Sequence, residues 1–431
     1  MSQPPPTLPG GRAARPGPGL ARRTARAALV RVDAVFSQKG PAFKQLALSW
    51  CTNVAGDTLV TMALAGTLFF EVPSAQARDK VALYLLLTIA PFAVVAPVLG
   101  AVFGRFPAAF RAVLTSASAL RAVLAVVMTF GLTSLWLFPL AFLMLVLSRL
   151  YGISKSSMLP VALPEPVALV SANALLARLG IYAGGAAALV GAGLIQLHLG
   201  WALACAALLF LFSAFIGLGL PDPRSPAAPT AGGPAAAPVV APSREDFQRS
   251  VRSLRFSRLA TAVVRLLNGF LLALLAFEFK ESGGLLDFGA LIAAAGVGFG
   301  LASFVSPWLA RRLREEPMVV AALAVEAAAA FISGQFFSLW AAALLAGSAG
   351  LAWGTAKFGF DALLQGVVHP DRRGTAFTRA ETLFQLAWVV GAVVPVAVSI
   401  PAEVGLVVAG VTALAAQTVF VSRLLIEPRS R

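Results

Sequence analysis

An aspartate stands inside a long run of apolar residues near the start of the chain. Asp57 belongs to the stretch GDTLVTMALAGTLFF, residues 56–70, and Asn53 lies one helical turn before it. A carboxylate in poorly hydrated surroundings can bind and release a proton, or it can attract a cation. It can equally pair with a basic side chain, or cap a broken helical turn, and never titrate. The residues alone leave the functional and the structural interpretation open.

Other polar side chains interrupt the apolar runs at helical spacing. Arg265 and Asn268 are three residues apart and therefore share one face of a helix. Lys357 and Asp361 are four residues apart, and an ion pair between them is the simplest interpretation. The remaining ionisable groups of this kind are Arg121, Arg178, Glu326 and Glu381.

The composition indicates what surrounds these groups. The 431-residue chain is 58% hydrophobic and 12% charged, whereas about 25% of the residues of a soluble domain are charged. Its apolar runs are long enough to cross a bilayer as helices and lack the alternation of barrel strands. We therefore expect an all-α polytopic membrane protein with twelve spans, at 43–72, 81–103, 112–133, 135–153, 168–196, 201–220, 257–279, 285–309, 317–333, 336–359, 375–398 and 402–424.

The orientation of the chain in the membrane explains the net charge of +15, and nucleic-acid binding is not needed to account for it. If the N-terminus is inside, the outward loops carry only Arg78, Lys80 and Lys280, and the inward segments hold the other clusters of basic residues. This asymmetry follows the positive-inside rule. It predicts a multi-pass protein of the bacterial inner membrane with both termini in the cytoplasm.

Other kinds of chemistry find little support. The two cysteines, Cys51 and Cys205, fall within predicted spans, so neither a disulfide nor a metal site is expected. The glycine-rich run GVGFG at 296–300 lies inside a span with no preceding strand, and such small residues let helices approach closely. With no ATP-binding motif, no nucleophile–base pair and no metal cluster in the sequence, we expect neither an enzyme nor a cofactor.

The chain divides into two halves around a Pro- and Ala-rich segment. We expect a disordered basic tail that touches anionic lipid over 1–42, and a six-helix bundle over 43–220. A flexible cytoplasmic linker over 221–256 ends in REDFQRSVRSLRF, which is typical of a short amphipathic helix along the inner surface. A second six-helix bundle follows over 257–424, and a cytoplasmic tail over 425–431.

Three short matches relate the halves. FEV at 70–72 corresponds to FEF at 277–279, SLW recurs at 134–136 and 338–340, and Pro164 and Pro370 each precede a helix. Their order and similar offsets indicate an ancient duplication of a six-helix unit. Parallel repeats of this kind are the architecture of major facilitator transporters, in which the site lies near the midplane between the halves.

The chain resembles a major facilitator superfamily transporter over its full twelve-helix length. GDTLVTMALAGTLFF, MLPVALPEPVALVSANALLARLG and FDALLQGVVHPDRRGTAFTRAETLFQLAWVVGA resemble the drug-efflux-like branch common in actinobacteria. One departure stands in the signature loop GAVFGRFPAAFR, where Gly104 replaces the aspartate that latches the two halves in the family. Arg105 remains, and we expect it to pair instead with Glu381.

The resemblance also implies which charged residues take part in transport. The first, fourth, seventh and tenth spans line the cavity, so Asp57 with Asn53, Arg265 with Asn268, and Lys357 with Asp361 become the candidates for substrate binding and proton coupling. An ionised group at the bilayer centre costs about 2.5–3.5 kcal/mol, so we expect Arg265 to pair with Asp57. Arg105, Arg178 and Glu381 lie near inner helix ends and are candidate gate residues. Arg121 and Glu326 are expected to make local polar contacts in peripheral helices.

The expected function is secondary transport by alternating access, in the form of proton-coupled export of small amphipathic or drug-like compounds. We expect a monomer that contacts lipid, a small-molecule substrate and protons. One alternative is a carrier of a small anionic metabolite, held by Arg265 or Lys357. Another is a membrane sensor or scaffold that transports nothing.

Overall fold

A computed structural model gives the architecture of the protein. It describes residues 39–68, 105, 109–130, 136–163, 169–221, 244–282, 285–313, 315–398 and 400–426. Within these residues the N-terminal half has five helices: α1 (Pro41–Leu68), α2 (Phe110–Phe130), α3 (Leu137–Ala162), α4 (Leu169–Leu197) and α5 (Leu199–Leu218). The C-terminal half has six: α6 (Arg244–Ser282), α7 (Leu285–Leu309), α8 (Glu315–Gln335), α9 (Leu339–Val367), α10 (Pro370–Ala397) and α11 (Ala402–Ile426).

The helices match the predicted spans, with differences at their ends. The span predicted at 81–103 lies outside the described residues, as do the linker beyond residue 221, Pro164 and Gly104. Pro370 was expected to precede its helix, whereas it is the first residue of α10, a position at which the missing N–H of proline would be unbonded anyway. The prediction of a separate amphipathic helix after the linker is wrong: that segment forms the first turns of the 39-residue helix α6. No proline or glycine interrupts the chain there, so the helix runs on into the span.

The fold is that of a multi-pass membrane protein. In the part of the chain that the structure describes, nine helices are long and apolar enough to cross a bilayer. The two that fall outside this set are α1 and α3. They are also the helices that carry Asn53, Asp57 and Lys155, three polar side chains of the candidate site.

Most helix contacts lie within one half, and the two halves meet at one end. In the N-terminal half α1 packs against α4 and α5, and in the C-terminal half α6 packs against α9 and α10. Phe360, Phe377 and Phe384 of the C-terminal half belong to the same buried cluster as the core of the N-terminal half. We call the end at which α3 leads to α4 and α9 leads to α10 the closed end. The hydrophobic core is therefore continuous between the halves there.

Glycines allow the closest helix contacts. Gly298, within the GVGFG run, faces the backbone of Gly347, so α7 and α9 touch through their main chains. Gly391 of α10 faces the carbonyl of Leu266 in α6 in the same way. A Cβ at either position would collide with a carbonyl oxygen, and for Gly298 this confirms the predicted role in close helix packing.

Candidate functional site

The polar centre of the N-terminal half is an ion pair between α1 and α2. Arg121 is fully buried and its Nη2 contacts Oδ1 of Asp57, whose side chain is 35% exposed. Nη1 of Arg121 donates to Oδ1 of Asn53 at 2.7 Å, and the guanidinium lies 4.0 Å from the ring centre of Phe210. The cation is thus held on one side by two oxygen acceptors and on another by an aromatic face.

The second carboxylate oxygen of Asp57 points towards α3. Ser148 Oγ donates to Oδ2 of Asp57 at 3.2 Å. With Arg121 on one oxygen and a hydroxyl on the other, the carboxylate is bound but still partly open. This geometry suits a group that exchanges one partner for another, because part of its surface stays accessible.

A series of hydrogen-bonded hydroxyl groups supports Asn53, which in turn binds Arg121. Asn53 Nδ2 donates to Ser118 Oγ at 3.3 Å, and Ser118 lies 3.4 Å from Ser213 Oγ. Ser49 shares hydrogen bonds with Ser213 at 3.0 Å and with the buried hydroxyl of Tyr151 at 2.9 Å. These contacts fix α1 against α2, α3 and α5, and they orient Asn53.

The expected pair between Asp57 and Arg265 is wrong in this conformation. Asp57 binds Arg121, and the Arg265 guanidinium stacks 4.5 Å from the ring centre of Trp353 and 5.6 Å from that of Trp388. Among the described helices α1 packs mainly against α3, α4 and α5 of its own half, and Asp57 likewise finds its ion-pair partner within that half. The long side chain of Arg121 reaches α1 from α2, and a local polar contact was indeed expected of it.

Arg265 and Asn268 diverge although they are three residues apart. Asn268 Nδ2 donates to Oε1 of Glu326 in α8 at 2.9 Å, whereas Arg265 lies towards α9 and α10. Glu326 is 1% exposed, and its Oε2 has no partner among the described residues. The expectation of a local polar contact at Glu326 is confirmed. Asn268 therefore binds a residue of α8 and not the groups that surround Arg265.

The predicted ion pair in α9 is confirmed and has a third member. Lys357 Nζ lies 2.5 Å from Oδ1 of Asp361 and 2.7 Å from Oε1 of Glu381 in α10. The ammonium group is thus neutralised by two carboxylates, which leaves it little capacity for a further anion. The ion pair at Glu381 is with Lys357, and the expected contact with Arg105 stays a prediction.

The two halves are joined by polar contacts at the closed end. Asn173 of α4 donates to Oε1 of Gln365 in α9 at 2.8 Å, and Gln365 Nε2 donates to the carbonyl of Ser156 in α3 at 2.8 Å. Lys155 of α3 interacts electrostatically with Asp361 and Glu381. Both α3 and α4 are therefore tied to α9 here.

Arg178, a candidate gate residue, lies at the same junction. Its guanidinium is 4.6 Å from the ring centre of Phe304 in α7, so it contacts the opposite half. Its gating role stays a prediction, as does that of Arg105, which is exposed beside a segment outside the described residues.

The site includes residues that the sequence did not single out. Gln365, Trp353 and Trp388 lie in apolar helices, and an uncharged side chain in such a helix gives no local signal of a contact to another element. A partial signal existed for Arg121, because an arginine within an apolar run needs a polar partner.

Solved structures of transporters share this fold. The human organic anion transporter MFSD10 superposes with a TM-score of 0.64 at 18% identity, covering 87% of this chain and 98% of that one. A bacterial homologue of the iron transporter ferroportin, in an outward-facing state, gives 0.64 at 17% identity, with 89% and 99% covered. The transporter FucP in its outward conformation gives 0.57 at 15% identity, with 89% and 98% covered. The chain therefore has the major facilitator fold.

Similar sequences occur in mycobacteria. An uncharacterized protein of Mycobacterium leprae is 31% identical over 385 residues, or 80% of this chain. One of Mycobacterium tuberculosis is 37% identical over 165 residues, or 36% of this chain. The matched regions span 65% and 30% of those two relatives, so this chain corresponds to part of each. No protein-family model matches the chain.

Proposed function

We propose that the protein is a secondary transporter that works by alternating access, with Asp57 as the group that binds and releases the coupling proton. The observation that carries the proposal is the environment of Asp57. Its carboxylate is paired with the buried Arg121 and is 35% exposed. An intramembrane carboxylate needs a neutralising partner, and a proton can replace the arginine when the helices shift.

The arrangement of the halves supports alternating access. The polar contacts that the described residues make between the halves lie at the closed end, where α3 and α4 meet α9. By the charge asymmetry of the loops, this end is cytoplasmic, and both termini lie in the cytoplasm of a bacterial cell. The conformation then opens outward, like the two neighbours crystallised in outward-facing states. Transport would require Gln365 to release its partners on the other half.

We further propose protons as the coupling ion and export as the direction. The Escherichia coli fucose:proton symporter has this fold, so the fold supports proton coupling. The apolar helices and few polar groups of the present chain suit small amphipathic compounds. We propose that these compounds are exported in exchange for protons. The neighbours carry organic anions, iron or fucose, and therefore do not select a substrate.

Proton flux in vesicles tests the proposal. Inverted vesicles that contain the protein are energised, a panel of amphipathic compounds is added, and the pH gradient is followed. We expect some compounds to dissipate the gradient with the wild type but not with Asp57→Asn. Glu403→Gln, which removes an exposed carboxylate at the start of α11, is the matched control and should behave as wild type. Absence of compound-dependent flux with folded wild-type protein would contradict transport and favour a sensor or scaffold.

A further inference from the structure

Arg265 presents hydrogen-bond donors that no described residue uses. Its guanidinium lies over Trp353 at 4.5 Å and beside Trp388 at 5.6 Å, and it makes no hydrogen bond or ion pair with a described residue. None of its nitrogen atoms is buried without a partner, so the donors reach accessible space. Stacking covers the flat face of a guanidinium and leaves the N–H groups free in its plane.

Two other cations of the candidate site differ from Arg265 because carboxylates already neutralise them. Lys357 sits between Asp361 and Glu381 at 2.5 and 2.7 Å, and Arg121 is bound to Asp57. Arg265 makes no ion pair with a described residue, although it experiences the field of Glu381. A planar donor fork without a bound acceptor is the arrangement that recognises a carboxylate, sulfonate or phosphate in two-point contact.

The position of Arg265 connects this donor group to both halves. Arg149, on α3 of the opposite half, repels Arg265 electrostatically, and Glu381, on α10, attracts it more strongly. An anion bound at Arg265 would offset the repulsion from Arg149. The two tryptophans belong to α9 and α10, so a flat apolar body placed along them would also touch the elements that join the halves at the closed end.

We propose that Arg265, Trp353 and Trp388 form the binding site for an amphipathic organic anion. The acidic group of the ligand accepts hydrogen bonds from the Arg265 guanidinium, and its aromatic or other flat apolar part packs on the tryptophans. The inference rests on the proposed transport function and narrows its substrate class to acids.

A set of probes that differ only in charge tests the site. The detergent-purified full chain is heated with 2-naphthoate, 2-naphthamide or 2-(aminomethyl)naphthalene, and the unfolding temperature is followed as a function of concentration. Naphthalene-2-sulfonate and 2-naphthyl phosphate extend the series to other acids. We expect the acids to raise the unfolding temperature in a saturable way, and the amide and the amine to have little effect.

Variants test whether Arg265 is the residue that binds the acids. Arg265→Gln should weaken 2-naphthoate binding at least about tenfold, and Arg265→Lys should lose less, since it keeps the charge but not the planar fork. Arg312→Gln is the matched control, because Arg312 also lies over a tryptophan, Trp308 at 5.0 Å, but is exposed beyond the end of α7. It should bind as wild type. If Arg265→Gln does not fold, the charge series on the wild type and the Arg265→Lys variant still decide.

The outcomes separate this inference from the proposed function. Equal shifts with all three naphthalene probes, no shift with any acid, or binding that survives in Arg265→Gln would overturn the anion site. If neutral or cationic compounds then drive proton flux that depends on Asp57, the transport proposal stands without the anion site. If acids bind through Arg265 and no compound causes flux, the site stands and the transport proposal is wrong.

Discussion

Replacing Asp57 by asparagine should destabilise the protein more than replacing Arg121, although the aspartate is the more exposed partner. The Arg121 side chain is fully buried, whereas that of Asp57 is 35% exposed. Asp57→Asn leaves a buried guanidinium whose remaining acceptors are Asn53 Oδ1 at 2.7 Å and the weakly accepting Met144 Sδ at 3.4 Å. Removing one partner of a buried pair costs about 3–5 kcal/mol. We expect the lower part of that range, because the new amide can still accept one hydrogen bond.

Replacing Arg121 instead leaves Asp57 unpaired, which costs less. Arg121→Met keeps an apolar side chain near Phe210 and leaves Asp57 with its Ser148 contact and its exposed surface. Water screens and hydrates a partly exposed carboxylate, so we expect a loss of about 1–3 kcal/mol. In the double variant no unpaired charge remains, and the summed losses should exceed the observed loss by about 2 kcal/mol or more.

The assay is unfolding of the detergent-purified protein by a denaturing surfactant, with helix content followed by circular dichroism. Ser148→Ala is the control for the loss of one hydrogen bond on the same carboxylate and should cost about 1 kcal/mol. Strictly additive single losses, or a larger loss for Arg121→Met than for Asp57→Asn, would refute the argument that Arg121 depends on Asp57.

Three further predictions concern the C-terminal half and the junction of the halves. Glu326→Gln should leave the free energy of unfolding unchanged or raise it, because an amide oxygen still accepts from Asn268, whereas Glu326→Ala should lower it by about 1–3 kcal/mol in the same unfolding assay; equal effects of the two would contradict this. Cysteines placed at Asn173 and Gln365, in a background without the native cysteines, should be joined by a short bis-methanethiosulfonate cross-linker and stop transport until they are reduced; undiminished flux in fully cross-linked protein would show that the closed end need not open. Gly391→Ala should lower the free energy of unfolding by about 1–3 kcal/mol through collision with the facing carbonyl of α6, and an unchanged value would mean that α6 and α10 can separate without cost.

Charge patterns within one helix were predictable from the sequence. Lys357 and Asp361 are four residues apart, and helix geometry alone places them in contact. Likewise Gly298 within GVGFG indicated a close helix contact, because a residue without a side chain permits main chains to touch. Both predictions needed only the period of the helix.

Contacts between helices were not predictable in the same way. Asp57 was expected to meet Arg265, yet it binds Arg121, because choosing among several buried cations requires knowing which helices are neighbours. Glu381 was expected to meet Arg105, and the structure gives it Lys357 as an ion-pair partner. The sequence lists the charged groups inside the spans, but the order of the helices in space decides how they pair.

The amino-acid sequence by itself determined that the chain crosses a membrane as many helices, since hydropathy and span length depend only on composition and order. It also predicted a division into two related halves, and it identified the residues whose burial is costly. Only the tertiary structure decided that Asp57 is held by Arg121, that Gln365 joins the halves, and that Arg265 lies over tryptophans with its donors open. These contacts join residues 64 to 209 positions apart, and packing alone brings such residues together.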